Sequence, residues 1–231
     1  MRQFVFYSLL FFSLSVFSQK KKLNAPFSIR GNVGIPSATS SQMFRTAFGG
    51  VYEFNLSANA RIFSNFFAGL GYQNSHFVNK KGLFDHYVFK DPSSDPPGKT
   101  VPYTTQLNGQ GGFIKLGYDH FFDKGYVSFC LNSGVMACAY QHVNKDTSLA
   151  NRPYGALKFN APYFQPEIAV NFMTDGNLSF SIMLSYATML YHFDPKAPRF
   201  NHIEEVNSTS NSYVMSWINI GFGFNILLGK K

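Results

Sequence analysis

The chain has 231 residues and a formal net charge of +8, with 14% charged and 45% hydrophobic residues. A soluble domain usually carries about 25% charged residues, and the scattered cations exclude a nucleic-acid-binding surface. The chain contains 27 Phe and 13 Tyr. No segment after the N-terminal one is apolar over the roughly 20 residues that a membrane helix needs. These features leave a soluble all-β core or a membrane β-barrel.

The N-terminal segment is typical of an export signal. Arg2 precedes an apolar run at 4–17 that only serines interrupt, and Ser18 offers a small residue for cleavage. The run is shorter than the roughly 20 residues of a membrane-spanning helix, so a retained anchor is the alternative. The predicted division is a cleaved signal peptide, a short basic segment and one barrel domain: 1–18, 19–24 and 25–231.

Apolar and polar residues alternate with a period of two from residue 27 onward, which is the pattern of half-buried β-strands. In the last run Ile218, Ile220 and Phe222 share one parity, and Asn219 and Gly221 hold the other. The pattern predicts eight strands, at 27–35, 44–56, 61–77, 111–122, 126–143, 161–173, 178–192 and 212–228.

The predicted connections alternate in length. Short turns of hairpin type are predicted at 57–60, 123–125 and 174–177. The longer connections are 36–43, 78–110, 144–160 and 193–211. Short turns at one end and long loops at the other are typical of a bacterial outer-membrane barrel, in which the short turns are periplasmic. An even number of strands then places both chain ends in the periplasm.

The face opposite the large apolar residues consists mostly of Gly, Ser, Asn and Ala. A soluble barrel would present a surface rich in Lys and Glu, whereas small residues suit the narrow interior of eight strands. Buried charges must pair, so the few charged residues on this face predict a network that plugs the lumen: Arg30, Arg45, Glu53, Arg61, Lys115, Asp119 and Glu167. A soluble lipocalin-like ligand-binding barrel has the same period and stays the alternative.

The predicted architecture resembles the small outer-membrane barrels of the OmpA and OmpX type. The phrases GLGY at 69–72, LGY at 116–118 and GFGFN at 221–225 are typical of that group. The resemblance covers residues 25–229. It implies an eight-stranded antiparallel transmembrane up-and-down β-barrel in the outer membrane, in contact with its lipid and lipopolysaccharide and without a cofactor.

The long loops are rich in aromatic residues and arginine, which supply contact energy at interfaces. They predict a surface that binds an envelope or extracellular protein, or alternatively a cap packed over the barrel. In the first case the chain would be a structural or accessory component of an envelope or secretion assembly. The candidate binding residues are Phe84, Tyr87, Phe89, Tyr103, Arg152, Tyr154, Arg199 and Phe200.

The alternative function is enzymatic, since some barrels of this type modify lipid A. Those resembling the lipid A deacylase use a serine nucleophile, a histidine base and an acid at one rim. The corresponding rim residues are His142, His192, His202 and Glu204, but a His-x-Ser motif is missing from the sequence. We therefore expect no catalytic residue and no metal site.

Overall fold

The computed structural model describes residues 25–40, 42–80, 87–89, 99–101, 103–144, 157–174, 176–191 and 214–229. Within these residues the chain forms one short helix and a succession of strands. In chain order the elements are β1 (Phe27–Ser40), α1 (Gln42–Ala47), β2 (Phe48–Phe63), β3 (Phe66–Asn79), β4 (Tyr87–Phe89), β5 (Lys99–Val101), β6 (Tyr103–Phe122), β7 (Gly125–Asn144), β8 (Leu157–Met173), β9 (Leu178–Met189) and β10 (Met215–Leu228).

Eight strands close an antiparallel barrel in the order β1-β10-β9-β8-β7-β6-β3-β2, and β4 pairs with β5 in a separate hairpin. This confirms the predicted fold class. The register can be followed around the barrel from each residue to its partner on the next strand. Starting at Phe27 on β1, the partners on β2, β3, β6 and β7 lead to Pro166 on β8. The next residue, Glu167, leads through its partners on β9 and β10 back to Pro36 on β1. One circuit therefore shifts the register by about ten residues, and a barrel of eight tilted strands has an interior that side chains just fill.

The two faces of the barrel wall differ in polarity as the alternation predicts. Along most of the wall, asparagine, serine, glutamine and charged residues such as Asn55, Lys115 and Glu167 point inward and are buried, whereas the large apolar residues at alternate positions point outward and are exposed. The exposed set includes Ile35, Leu70, Ile114, Ile220 and Phe222. An apolar exterior around a polar interior is the arrangement of a membrane barrel and the reverse of a soluble one.

The predicted turn at 57–60 is wrong. Residues 57–60 continue β2 with the same alternation, and the chain turns later, at Ser64 and Asn65. Ser57 and Asn59 are buried in the lumen, whereas Ala58 and Ala60 point outward. Small residues at these positions resemble a turn in composition, but here they line a narrow interior. Ser64 adopts a positive φ of 44°, which closes the hairpin.

The loop end differs from the prediction in two further ways. Residues 44–47, predicted as the start of a strand, belong to helix α1. Strands β6 and β8 begin well before their predicted starts at residues 111 and 161, because β6 begins at Tyr103 and β8 at Leu157. In the described part of the chain, no helix is long and apolar enough to cross a membrane.

Candidate functional site

An ionic cluster fills the lumen toward the turn end. Arg30 donates from Nη2 to both oxygens of Asp119, at 3.1 and 2.8 Å, and from Nη1 to Ser128 Oγ at 3.1 Å. Arg61 Nη2 reaches Asp119 Oδ2 at 3.2 Å. Ser128 Oγ donates to Asp119 Oδ1 at 2.7 Å. Charge-assisted bonds of this kind compensate for the cost of burying an ionised group.

A phenylalanine ring supports this cluster from one side. The Arg30 guanidinium carbon lies 3.9 Å from the ring centroid of Phe67, a cation–π distance. The Phe67 ring in turn covers Gly117, where a Cβ atom would lie only 2.2 Å from Phe67 Cζ. Because Gly117 has no side chain, the Phe67 ring has room to pack against Arg30.

Substituting Gly117 with valine is expected to displace the Phe67 ring and disturb the stacking on Arg30. Overpacking of this kind typically costs about 1–3 kcal/mol. The free energy of unfolding, measured by urea titration of protein folded into phospholipid vesicles, checks this value. Gly112→Ala is the matched control, because its nearest neighbour would be Gly71 O at 3.8 Å. Equal stability of the two variants would contradict the role assigned to Gly117.

A second buried ion pair lies on the β6 and β8 walls. Lys115 Nζ donates to Glu167 Oε1 at 2.9 Å and to Oε2 at 3.1 Å, and both side chains are at most 3% exposed. Asn132 Nδ2 donates to Glu167 Oε2 at 3.4 Å and to Gln165 Oε1 at 3.3 Å, and so links the two side chains. Gln165 then donates onward to Glu53. The pair is thus connected to a third polar group on the opposite wall.

Glu53 is the acceptor at the centre of that third group, which we call the Glu53 hub. Its carboxylate accepts bonds from Trp217 Nε1 at 2.6 Å, Gln165 Nε2 at 2.6 Å and Asn219 Nδ2 at 2.9 Å. Ser75 Oγ donates at 3.1 Å. Glu53 is fully buried, and none of the ion pairs among the described residues includes it. Neutral donors therefore take the place of a cation.

Apolar clusters close the lumen above and below the polar groups. At the turn end Phe121 packs with Tyr126 and Leu227. At the loop end Phe44 of α1 inserts its ring 5.2 Å from that of Phe77 and 6.4 Å from that of Trp217. Buried tyrosine, methionine and cysteine side chains surround them: Tyr140, Tyr163, Met136, Met189, Met215 and Cys138. The described lumen is thus filled along its length.

The structure brings six of the seven expected lumen charges inside the barrel: Arg30, Glu53, Arg61, Lys115, Asp119 and Glu167. The prediction for the seventh, Arg45, is wrong. It lies in α1 with an exposed side chain, because the residues around it are helical and strand parity does not apply to them. Cys130 and Cys138 are free thiols packed in the interior.

The expected loop and rim residues lie mostly outside the described part of the chain, namely Phe84, Arg152, Tyr154, Arg199, Phe200, His192, His202 and Glu204. The backbone is placed for Tyr87 and Phe89 in β4, Tyr103 in β6 and His142 in β7, but their side chains are not among those described. Across the described residues, no three His, Cys, Asp or Glu side chains group closely enough to hold a metal ion.

Sequence reasoning missed a polar area on the outer wall of β3, β6, β7 and β8. Two adjacent rungs of the sheet run across these strands, and both have outward-pointing polar or small residues. We call them the outer polar patch: Asn74, Gln110, Ala137 and Asn160 in one rung, and His76, Asn108, Ala139 and Lys158 in the next. The rung just below holds Tyr72, Gly112, Val135 and Pro162.

Hydrogen bonds and a groove shape this patch. Tyr72 donates to Gln110 Oε1 at 3.2 Å, and His76 Nδ1 bonds to Asn108 Oδ1. The Tyr52 ring stacks on His76 with centroids 5.4 Å apart. The alanines form a low floor under a groove of about 580 Å³, with Lys158 on one side. The change from apolar to polar residues at outward positions is the sequence signal, but residues 108–110 and 158–160 had been predicted as loop.

Comparison with solved structures places the fold among outer-membrane barrels. A major outer membrane protein from Thermus thermophilus aligns with a TM-score of 0.52 and 12% identity, over 88% of this chain and 98% of its own. Neisserial surface protein A aligns at 0.46 and 13% identity, over 88% and 98%. Ail of Yersinia pestis, in complex with the heparin analogue sucrose octasulfate, aligns at 0.43 and 8%, over 87% and 97%. Neither a protein-family model nor a curated protein matches the chain.

Proposed function

We propose that this chain is an integral outer-membrane barrel with a plugged lumen, which anchors and presents a binding surface at its loop end. The filled lumen is the observation that carries the proposal. Three polar groups and two apolar clusters occupy the interior from end to end in the described residues. A barrel filled in this way leaves no aqueous path for solutes, so its working surface is the outside.

The outer wall supports the membrane location. On β10 the outward positions from Ile218 to Leu228 are all apolar. These positions span 11 residues, and a tilted strand crosses the hydrocarbon layer in about 9–11. Exposed aliphatic and aromatic side chains of this kind are stable in lipid and would aggregate in water. The barrel also has no free edge, because every barrel strand is paired on both sides.

The loop end supports a role in binding. Strands β6 and β7 each have 20 residues, about twice the number needed to cross the hydrocarbon. Their upper parts therefore rise beyond the lipid as two hydrogen-bonded strand ends, paired up to Tyr103 and Asn144. These strands lead into the aromatic-rich connections of the sequence, and an envelope or extracellular protein is the partner proposed for them.

The pure protein, reconstituted into planar lipid bilayers, is expected to give no discrete conductance steps, because side chains fill its lumen. A sixteen-stranded porin serves as the positive control. Regular open-channel steps from this chain would overturn the plugged state. Fractionation with outer membranes and a heat-dependent shift in gel migration are expected for the barrel. An epitope inserted between β4 and β5 should be labelled on intact cells; recovery of the chain as a soluble monomer would overturn the location.

A further inference from the structure

We propose that the outer polar patch binds the sugar-phosphate head group of a glycolipid in the outer leaflet, of the lipopolysaccharide class. The proposal rests on the membrane location given above and assigns a ligand to a defined part of the wall. Three independent observations support it: the height of the patch, its mixture of donor groups, and the sign of the charges around it.

The height of the patch matches that of a lipid head group. The rung below it carries Tyr72, Val135 and Pro162, and the rung below that carries Leu70, Ile114 and Phe164 on the outside. On β3, β6 and β8 large apolar residues thus give way to the rung of Tyr72 and then to amides, while β7 contributes Ser133, Val135 and Ala137 at the three levels. A tyrosine at this transition is typical of the boundary between hydrocarbon and head groups. The amides of the patch therefore lie at the level of the head groups.

The side chains of the patch suit a sugar phosphate. Asn74, Gln110 and Asn160 present amide groups, which can donate to and accept from sugar hydroxyls. The exposed ammonium of Lys158 can bond to a phosphate oxygen. Between them Ala137 and Ala139 keep the floor low, and the groove of about 580 Å³ has room for sugar rings.

A place for the acyl chain lies directly below the groove. Gly112 stands between Tyr72 and Val135, and a Cβ atom placed there would meet nothing closer than 3.8 Å. This gap lies in the boundary rung of Tyr72, directly above the apolar rung of Leu70, Ile114 and Phe164. A ligand with sugars above and a hydrocarbon chain below fits both levels at once, whereas free phosphate or a soluble sugar would use only the upper one.

Among the described residues, the charges at this end of the outer wall are positive. Arg45, Lys80 and Lys158 are exposed there, and Lys80 Nζ donates to the Arg45 carbonyl at 2.7 Å, which brings the first two together. The carboxylates among the described residues lie elsewhere: Glu53, Asp119 and Glu167 inside the lumen, and Asp123 in a turn at the opposite end. This distribution favours an anionic ligand at the patch.

The test measures the thermal unfolding midpoint of the detergent-solubilised protein during titration with purified rough-type lipopolysaccharide. The wild-type midpoint is expected to rise, because a ligand that binds only the folded state stabilises it. Lys158→Glu is expected to weaken the apparent affinity at least tenfold. Asn160→Leu, which removes an amide donor but no charge, is expected to weaken it several-fold. Lys124→Glu, at the opposite end, is the matched control and should bind like the wild type.

Two results would overturn the proposal. Lys158→Glu and Asn160→Leu binding as tightly as Lys124→Glu would show that the patch is not the site. An equal rise of the midpoint with phosphatidylglycerol would show attraction to anionic lipid in general rather than recognition of sugars. Lys158 and Asn160 are exposed, so heat-modifiable migration should show both variants folded. Failure of the membrane location appears separately, in the fractionation experiment.

Discussion

Replacing Glu167 with alanine is expected to destabilise the folded barrel by about 3–5 kcal/mol. The substitution leaves the Lys115 ammonium in the lumen without its partner, and an unpaired buried charge costs this amount. Lys115 is 1% exposed, so water cannot readily replace the lost carboxylate. The free energy of unfolding from urea titration in phospholipid vesicles gives the value directly.

The double variant Lys115→Met with Glu167→Met removes both charges, so that neither is left buried without a partner. Replacing both charges with apolar groups of similar volume is often neutral or stabilising. The double variant is therefore expected to be more stable than Glu167→Ala. Lys124→Ala, at an exposed turn, should stay within about 0.5 kcal/mol of the wild type. A Glu167→Ala variant as stable as Lys124→Ala would show that the pair is not buried as described.

Replacing Glu53 with alanine is expected to cost at least about 3 kcal/mol. The change removes the common acceptor of the Trp217 indole and the Gln165 and Asn219 amides. Each buried donor left without an acceptor costs about 1–3 kcal/mol. Glu53→Gln keeps one oxygen in place and is expected to lie between alanine and the wild type. Urea titration measures the order of the three proteins.

The same position has a spectroscopic readout. The chain has a single tryptophan, and that residue is Trp217, whose indole donates to Glu53. Its fluorescence emission therefore reports on the surroundings of this one indole, which include Glu53 and the rings of Phe44 and Phe77. In folded Glu53→Ala we expect a shifted emission maximum, whereas Asp123→Ala, in an exposed turn, should leave it unchanged. Emission and stability that both match the wild type would contradict the hub.

The sequence was sufficient to predict the barrel because strand geometry repeats every two residues. A position such as Ile220 or Asn219 is assigned to the outside or the inside by parity alone, whatever its partners. The same argument placed Arg30, Lys115 and Glu167 in the lumen before any contact was known. Local periodicity therefore carries the fold and the polarity of each face.

Local periodicity does not predict which side chains of the lumen contact one another. Lys115 and Glu167 meet only through the register of β6, β7 and β8, and the donors to Glu53 come from several strands far apart in the chain. Register is a property of the closed barrel and depends on the shift accumulated over all strands. The sequence could predict that buried charges pair, but not which ones.

The errors arose where composition and geometry conflict. Ser57 and Asn59 have the composition of a turn but lie in a strand, because a narrow lumen accepts only small side chains there. Residues 108–110 and 158–160 of the outer polar patch were assigned to loops for a related reason. Their outward side chains are polar. Where a strand rises out of the lipid, its outward positions no longer need to be apolar, so the alternation disappears from the sequence although the strand stays paired.

In the proposed orientation, the length of β6 and β7 sets how far the described part of the barrel rises above the outer membrane. Both strands continue about seven residues past the rung of Gln110, which at about 3.3 Å per residue and a tilt of about 40° adds roughly 18 Å of height. A macromolecule could thus contact the upper tip of these two strands without entering the inner sugar layer. Because parity repeats every two residues, deletions of two from each strand would lower that tip in steps of about 5 Å. The reach of the anchor is therefore adjustable without altering its lumen.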